Sequence, residues 1–130
     1  MIEKKIYKDL SNADSRELAE AIVGFISERK TLDITLLHVE NQTVLTDYFV
    51  ICSCTSTTQL KSLVSEVEFK LNESNVKVWN IDGHGSDWTA IDIGPVIVHV
   101  FLTGTRNFYK IEKLWSGSEE IDLSTIINNQ

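Results

Sequence analysis

Seven consecutive residues, Val96-Ile97-Val98-His99-Val100-Phe101-Leu102, leave this chain few ways to fold. Six are apolar and four are β-branched, and apolar side chains fall on both parities, so both faces of the segment need cover. A run this short and this β-branched reads as an inner strand rather than a helix. Gly94-Pro95 stops the chain before it, because proline has no N–H to give to a central ladder. After it, Thr103-Gly104-Thr105 loosens the backbone and the spacing turns helical. Phe108, Ile111 and Trp115 fall three and four apart with Leu114 beside them, which predicts one helix over 106–115 with a shared apolar face. Trp88 to Ile93 alternates ahead of the Gly-Pro break and is expected to pair antiparallel with the inner strand.

The preceding residues supply cover for that unit. Ser11 or Asp14 caps a helix, with Glu17 completing a capping box, and Leu18, Ile22, Phe25 and Ile26 form its stripe, which ends near residue 30. A strand follows over 33–39, then a turn at 40–42 and a second strand over 44–54, interrupted at Thr46-Asp47. Ser56 caps the next helix with Gln59 reaching back, and Leu60, Leu63, Val64, Val67 and Leu71 make its apolar stripe. A further strand spans 76–81, and a loop at 83–86 leads into the Trp88 hairpin. The order is α-β-β-α-β-β-β-α, an α/β fold with five strands in a single mixed sheet and helices covering it. One domain is expected over 1–116, of which 1–10 form a flexible lead. Residues 117–130 read as a flexible acidic tail.

Nineteen acidic against twelve basic residues give a net charge of -7. Phosphate binding needs a basic surface, so direct DNA binding is not expected, whereas a partner with a basic surface would be steered in. No apolar run approaches the ~20 residues of a membrane span, and the N-terminus lacks the apolar core of a signal peptide. A cytoplasmic location without membrane attachment is the expectation. Cys52 and Cys54 stand two apart on a strand, pointing to one face, and read as small buried thiols. No metal or cofactor motif appears among the ligand types present.

Two blocks of residues carry a family likeness. The first is Thr46-Asp47-Tyr48-Phe49-Val50-Ile51 with Thr55-Ser56 and the capped helix containing Gln59. The second is Trp88, Asp92 and Gly94, then Val98-His99-Val100-Phe101, Arg106, Phe108-Tyr109 and Leu114-Trp115. In this order and spacing they resemble the ribosomal silencing factor family, RsfS, also called Iojap, over roughly residues 14–116. The resemblance implies a non-enzymatic repressor of translation that binds the large ribosomal subunit beside large-subunit ribosomal protein fourteen and sterically blocks the small subunit. It also implies a nucleotidyltransferase-like fold without that activity, and a homodimer off the ribosome. The sequence departs from the family pattern at Cys54, Pro95 and Gly104, of which Gly104 stands two residues before Arg106.

Several residues are candidates for contact with a partner. Asp47-Tyr48 could present a charge and an aromatic ring, or serve as a strand-start aspartate with a tyrosine packed on the sheet. Arg106 opens the expected helix, where a cation opposes the macrodipole, so a carboxylate such as Asp92 or Asp47, or a partner group, should hold it. Trp88, Tyr109, Leu114 and Trp115 complete the set, with Trp115 the foremost of the tryptophans. His99 is read as a hydrogen-bonded core histidine paired with Asp92 across the hairpin. The alternative function is a small transferase-like enzyme with a degenerate site around Asp92, His99 and Gly85-Ser86. Two-metal transferase chemistry requires paired carboxylates on one strand face, and Asp82, Asp87 and Asp92, five apart, do not supply them.

Overall fold

The structure, a computed structural model, describes residues 7–29, 31–84 and 86–127. Its elements are α1 (Ser15–Ser27), β1 (Leu32–His38), β2 (Tyr48–Cys54), α2 (Thr57–Glu73), β3 (Asn80–Asp82), β4 (Trp88–Asp92), β5 (Val96–Leu102), α3 (Thr103–Tyr109), α4 (Ile111–Leu114) and β6 (Glu119–Glu120). Six strands form one sheet in the order β3-β4-β5-β2-β1-β6. β2 and β5 run parallel at its centre and the other pairings are antiparallel, so the sheet is mixed.

β5 has the bounds expected of it, and both of its faces are covered. Val96, Val98 and Val100 point to the side where α1 and α2 lie. There they join Leu36, Val50, Cys52, Ile91 and the helix residues Ile22, Val23, Leu60, Leu63 and Leu71 in one buried cluster. Ile97, His99 and Phe101 point to the other side. Both long helices start where their side chains dictate. Asp14 accepts from the Glu17 N–H at 2.8 Å, and the Ser56 hydroxyl accepts from the Gln59 N–H at 3.1 Å, each filling an otherwise unpaired donor. The Glu17 carboxylate pairs with Lys8 instead of turning back, and Gln59 reaches one residue further than expected, to the Thr55 N–H. Cys52 and Cys54 are buried and unbridged; burial raises both thiols, Cys54 to about 11.

The turn between β4 and β5 also seats the start of β2. The Pro95 carbonyl accepts the Asp47 and Tyr48 N–H groups at 3.0 and 3.1 Å, and the Thr46 hydroxyl donates to the Gly94 carbonyl at 3.0 Å. Gly94 has φ +99° and carries the Trp79 indole against its α-carbon; a Cβ there would lie 2.8 Å from that ring. This turn therefore requires glycine twice over.

Four expectations need correction. The sheet has six strands, not five, because Glu119–Glu120 pairs with His38 and Leu37 and the Ile121 N–H bonds the Leu36 carbonyl. The described part of the supposed tail therefore packs on the protein, with Ile121 buried and Leu123, Ile126 and Ile127 against the core. Likewise Leu10, in the supposed flexible lead, is buried and bonds the Ser74 carbonyl; residues 1–6 and 128–130 lie outside the described part. Third, β2 and β3 are shorter than expected: Val44 and Leu45 face no neighbouring strand, since β1 ends at His38, and they stand fully exposed in a loop.

The single helix over 106–115 is the fourth. It breaks at Lys110, which takes a left-handed conformation (φ 51°, ψ 50°) that ends α3 and starts α4. Arg106 and Glu112 explain the break. Six residues apart on one helix they would sit about 120° apart round the axis, yet here the Glu112 carboxylate meets both Nε and Nη2 of Arg106, at 3.1 and 3.0 Å. The bend turns Ile111 inward and leaves Phe108 and Leu114 outside.

Candidate functional site

The two faces of the sheet are covered unequally. α1 and α2, 13 and 17 residues long, lie on one; α3 and α4, 7 and 4 residues long, lie on the other. On the thinly covered side Leu37, Val39, Phe49, Ile51, Phe101 and Ile111 are buried, and Trp88, Ile97 and Trp115 are only partly so. Above them Phe108 is 79% exposed and Leu114 77%, with Tyr109 half exposed.

The rings on this side form an unbroken series. Trp115 meets Phe49 edge to face at 5.0 Å, and Phe49 meets His99 in the same manner at 4.7 Å. Trp88 lies beside His99 at 5.9 Å, is stacked on Phe101 at 4.8 Å, and supports Tyr109 at 5.2 Å. Phe108 closes the series, edge-on to Tyr109 at 5.1 Å. Offset and edge-to-face pairs of this kind add to what ring burial alone provides. A half-buried, rigidly packed aromatic surface is the composition found at the centres of protein interfaces.

Arg106 holds the cover in place. Its side chain is 8% exposed and lies beneath α3 and α4. Besides Glu112, its guanidinium donates to the Asp33 carbonyl at 2.6 Å, the Ser53 hydroxyl at 2.9 Å and the Thr35 hydroxyl at 3.1 Å. One residue thus ties the α3–α4 bend to β1 and β2. The carboxylate that pairs with it is Glu112, not Asp92 or Asp47. Nor does it open the helix: it lies in the last turn of α3, where a cation suits the macrodipole.

Of the residues singled out from the sequence, Trp88, Tyr109, Leu114 and Trp115 come together on the aromatic face. Arg106 is enclosed below it. Tyr48 is buried in the cluster under α1 and α2, stacked on His38 at 4.6 Å, and burial raises its hydroxyl pKa. Asp47 accepts the Ser15 hydroxyl at 2.8 Å beside the start of α1. The exposure of Phe108, Val44 and Leu45 is not legible in the sequence, because their periodicity fits a helix stripe and a strand. No residue signal marks the helix break, since lysine rather than glycine occupies the left-handed position.

Asp92 and His99 do not pair. Across the hairpin His99 stands opposite Ala90 and Asp92 opposite Ile97, and the Asp92 carboxylate accepts the Gly94 N–H at 2.8 Å within its own turn. His99 Nδ1 instead accepts from Trp88 Nε1 at 3.1 Å. Burial lowers the His99 pKa to about 4, so the ring is neutral near pH 7. Gly85 lies outside the described residues, and the Ser86 hydroxyl is tied into its turn by the Gly83 carbonyl at 2.7 Å. Among the described residues no three His, Cys, Asp or Glu side chains are grouped to hold a metal ion, and no helix is long and apolar enough to cross a membrane.

The fold and this face define a small mixed-sheet protein whose distinguishing surface is an exposed aromatic platform, the make-up of a binding module. Comparison with known proteins gives the family. The model for "Ribosomal silencing factor during starvation" matches residues 12–130, and the chain belongs to that family. The ribosomal silencing factor RsfS of Bacillus subtilis is 31% identical over 116 residues, which span 88% of this chain and 98% of that protein. A crystal structure of a protein from Chromobacterium violaceum superimposes with a TM-score of 0.76 at 30% identity, covering 85% of this chain and 92% of the other. The mouse protein named for mitochondrial assembly of the ribosomal large subunit is 32% identical over 103 residues, 75% of this chain and 44% of its own length.

Proposed function

We propose that this chain is a cytoplasmic, non-enzymatic silencing factor that acts by occupying a site on the ribosome. It binds the large subunit at large-subunit ribosomal protein fourteen, keeps the small subunit from joining, and so represses translation. The observation that carries this reading is the family match, which runs through almost the whole chain. The name of the mouse relative points to the same subunit.

The aromatic face supplies a means of docking. Trp88, Phe108, Tyr109, Leu114 and Trp115 offer ring and aliphatic area on a rigid base, the kind of residues whose truncation costs most at interfaces. A net charge of -7 favours a basic ribosomal protein over bare RNA as the surface met first. The same apolar face serves a homodimer off the ribosome, so self-association and docking compete for it.

Sucrose-gradient profiles of ribosomes with added protein test the reading. Free subunits should increase at the expense of joined ribosomes, with the protein travelling on the large subunit. Unchanged profiles at saturating protein would overturn it.

A further inference from the structure

His99 is a poor choice for stability where it stands. It sits on the central strand β5, 8% exposed, among Phe49, Trp88 and Phe101. The indole N–H of Trp88 is a donor only. The atom it meets, Nδ1, must therefore be the unprotonated nitrogen, and in the neutral ring Nε2 carries the proton. Nε2 is itself buried and has no hydrogen-bond partner. A buried donor without an acceptor is a cost that phenylalanine or leucine would not bear at this position. What His99 supplies, and an apolar residue could not, is the Nδ1 lone pair.

That lone pair acts on a ring at the surface. Trp88 is half-buried, stacked on Phe101 below it at an interplanar angle of 27°, and supports the exposed Tyr109. Stacking leaves an indole free to slide or turn in its plane, whereas one hydrogen bond from its edge fixes it. Resting on the docking role proposed above, we infer that His99 is a positioning residue for the partner-binding face: it locks the Trp88 indole, and through it Tyr109, in the orientation that the partner meets. A preorganised ring loses less freedom on binding, which is where such a residue contributes to affinity.

The test compares His99→Phe, which keeps ring area but has no acceptor, with His99→Asn, whose amide oxygen takes the place of Nδ1. Trp88→Phe provides a third arm by removing the donor. Exchange of the three indole N–H signals is followed by NMR, the Trp88 signal being the one missing in W88F. Binding to purified large ribosomal subunits is measured in parallel. The Trp88 signal should exchange at least tenfold more slowly than the exposed Trp79 signal in the wild type and in H99N, and lose that protection in H99F. Affinity should fall about tenfold in H99F and in W88F but stay within threefold in H99N, and a variant combining H99F with W88F should be no worse than either of these alone. If H99F does not fold, W88F with undiminished affinity still overturns the inference. So does an H99F protein that loses indole protection yet binds like the wild type, or one that keeps the protection. Wild-type protein that does not bind large subunits overturns the function proposed above, and this role with it.

Discussion

Removal of the Arg106 guanidinium should destabilise the protein by about 3 kcal/mol and unseat α3 and α4 together. Breaking a buried ion pair by deleting one partner costs about 3–5 kcal/mol. The Glu112 side chain left behind is 40% exposed, so water takes up part of its charge and moves the cost below that range. The Ser53 hydroxyl, 1% exposed, loses its partner as well, at about 1–3 kcal/mol. These effects share one site and do not add in full, which gives the figure of about 3 kcal/mol. With an unfolding entropy of about 2.1 cal/mol/K per residue, a chain of 130 residues should melt about 11 °C lower. Arg106→Lys keeps the charge but not the planar fork that reaches Glu112, Asp33, Ser53 and Thr35 at once, so it should recover less than half of the loss. Calorimetric melting of both variants measures this, and amide exchange over 103–115 shows whether the bend loosens. A fall of less than about 3 °C in the alanine variant, or a lysine variant that melts like the wild type, would refute the anchoring role.

Leu114→Ala should leave Tm within a few degrees, because the side chain is exposed, while weakening large-subunit binding by about 1–3 kcal/mol; equal affinity by co-sedimentation would remove Leu114 from the docking face. Gly94→Ala should cost more than about 1 kcal/mol in urea unfolding and red-shift or displace Trp79 fluorescence, since both the positive φ and the indole contact forbid a Cβ. Stability should also depend on pH in two opposite ways. His99 is neutral in the folded protein down to about pH 4 but protonates near 6.5 once unfolded, so about 3 kcal/mol is lost as pH falls through that window, and His99→Asn should flatten that limb. The pKa of His38 is raised, chiefly by its hydrogen bond to Glu40 and further by Glu119, so its contribution is present below pH 6.5 and fades as pH climbs through the raised value. Urea midpoints across pH for His38→Gln and His99→Asn separate the two limbs, and a variant that leaves its limb unchanged contradicts the assignment.

Features set by neighbours in sequence were legible. β5 could be bounded to the residue because its apolar side chains fall on both parities between a Gly-Pro stop and a Thr-Gly-Thr release. The Ser56 cap can be named, and the first cap narrowed to Ser11 or Asp14, because a cap is a bond between residues three apart; the structure selects Asp14. What could not be read depends on contacts across the fold. Glu119–Glu120 has nothing of a strand in its composition, and pairs because β1 offers an open edge there. The break at Lys110 follows from the demand of Arg106 for Glu112, made by polar groups on β1 and β2 that sequence does not place beneath it. An unbroken helix would place Phe108 on the inward stripe, and only the bend shows that it stands exposed beside Tyr109 and Leu114, the partner contacts that the sequence does suggest. That His99 is a buried hydrogen-bonding histidine is legible, but charge points to Asp92 as its partner, whereas ring packing across the fold favours Trp88.

The parallel pairing at the centre of the sheet has a consequence for how this chain is made. Each pair of partners, from Tyr48 with Val96 to Cys54 with Leu102, lies 48 positions apart. Every other strand is attached, directly or through a neighbour, to one of these two. β1 and β2 can meet early as a local pair, and β4 and β5 as another, but each would present an open edge of buried residues until the two join. Closing a loop of that length before any contact rewards it is slow compared with forming a helix or a hairpin. The two halves therefore cannot combine until Leu102 has left the exit tunnel. During synthesis the earlier strands wait as separate, adhesive pieces, and the emergence of β5 decides when they become one sheet.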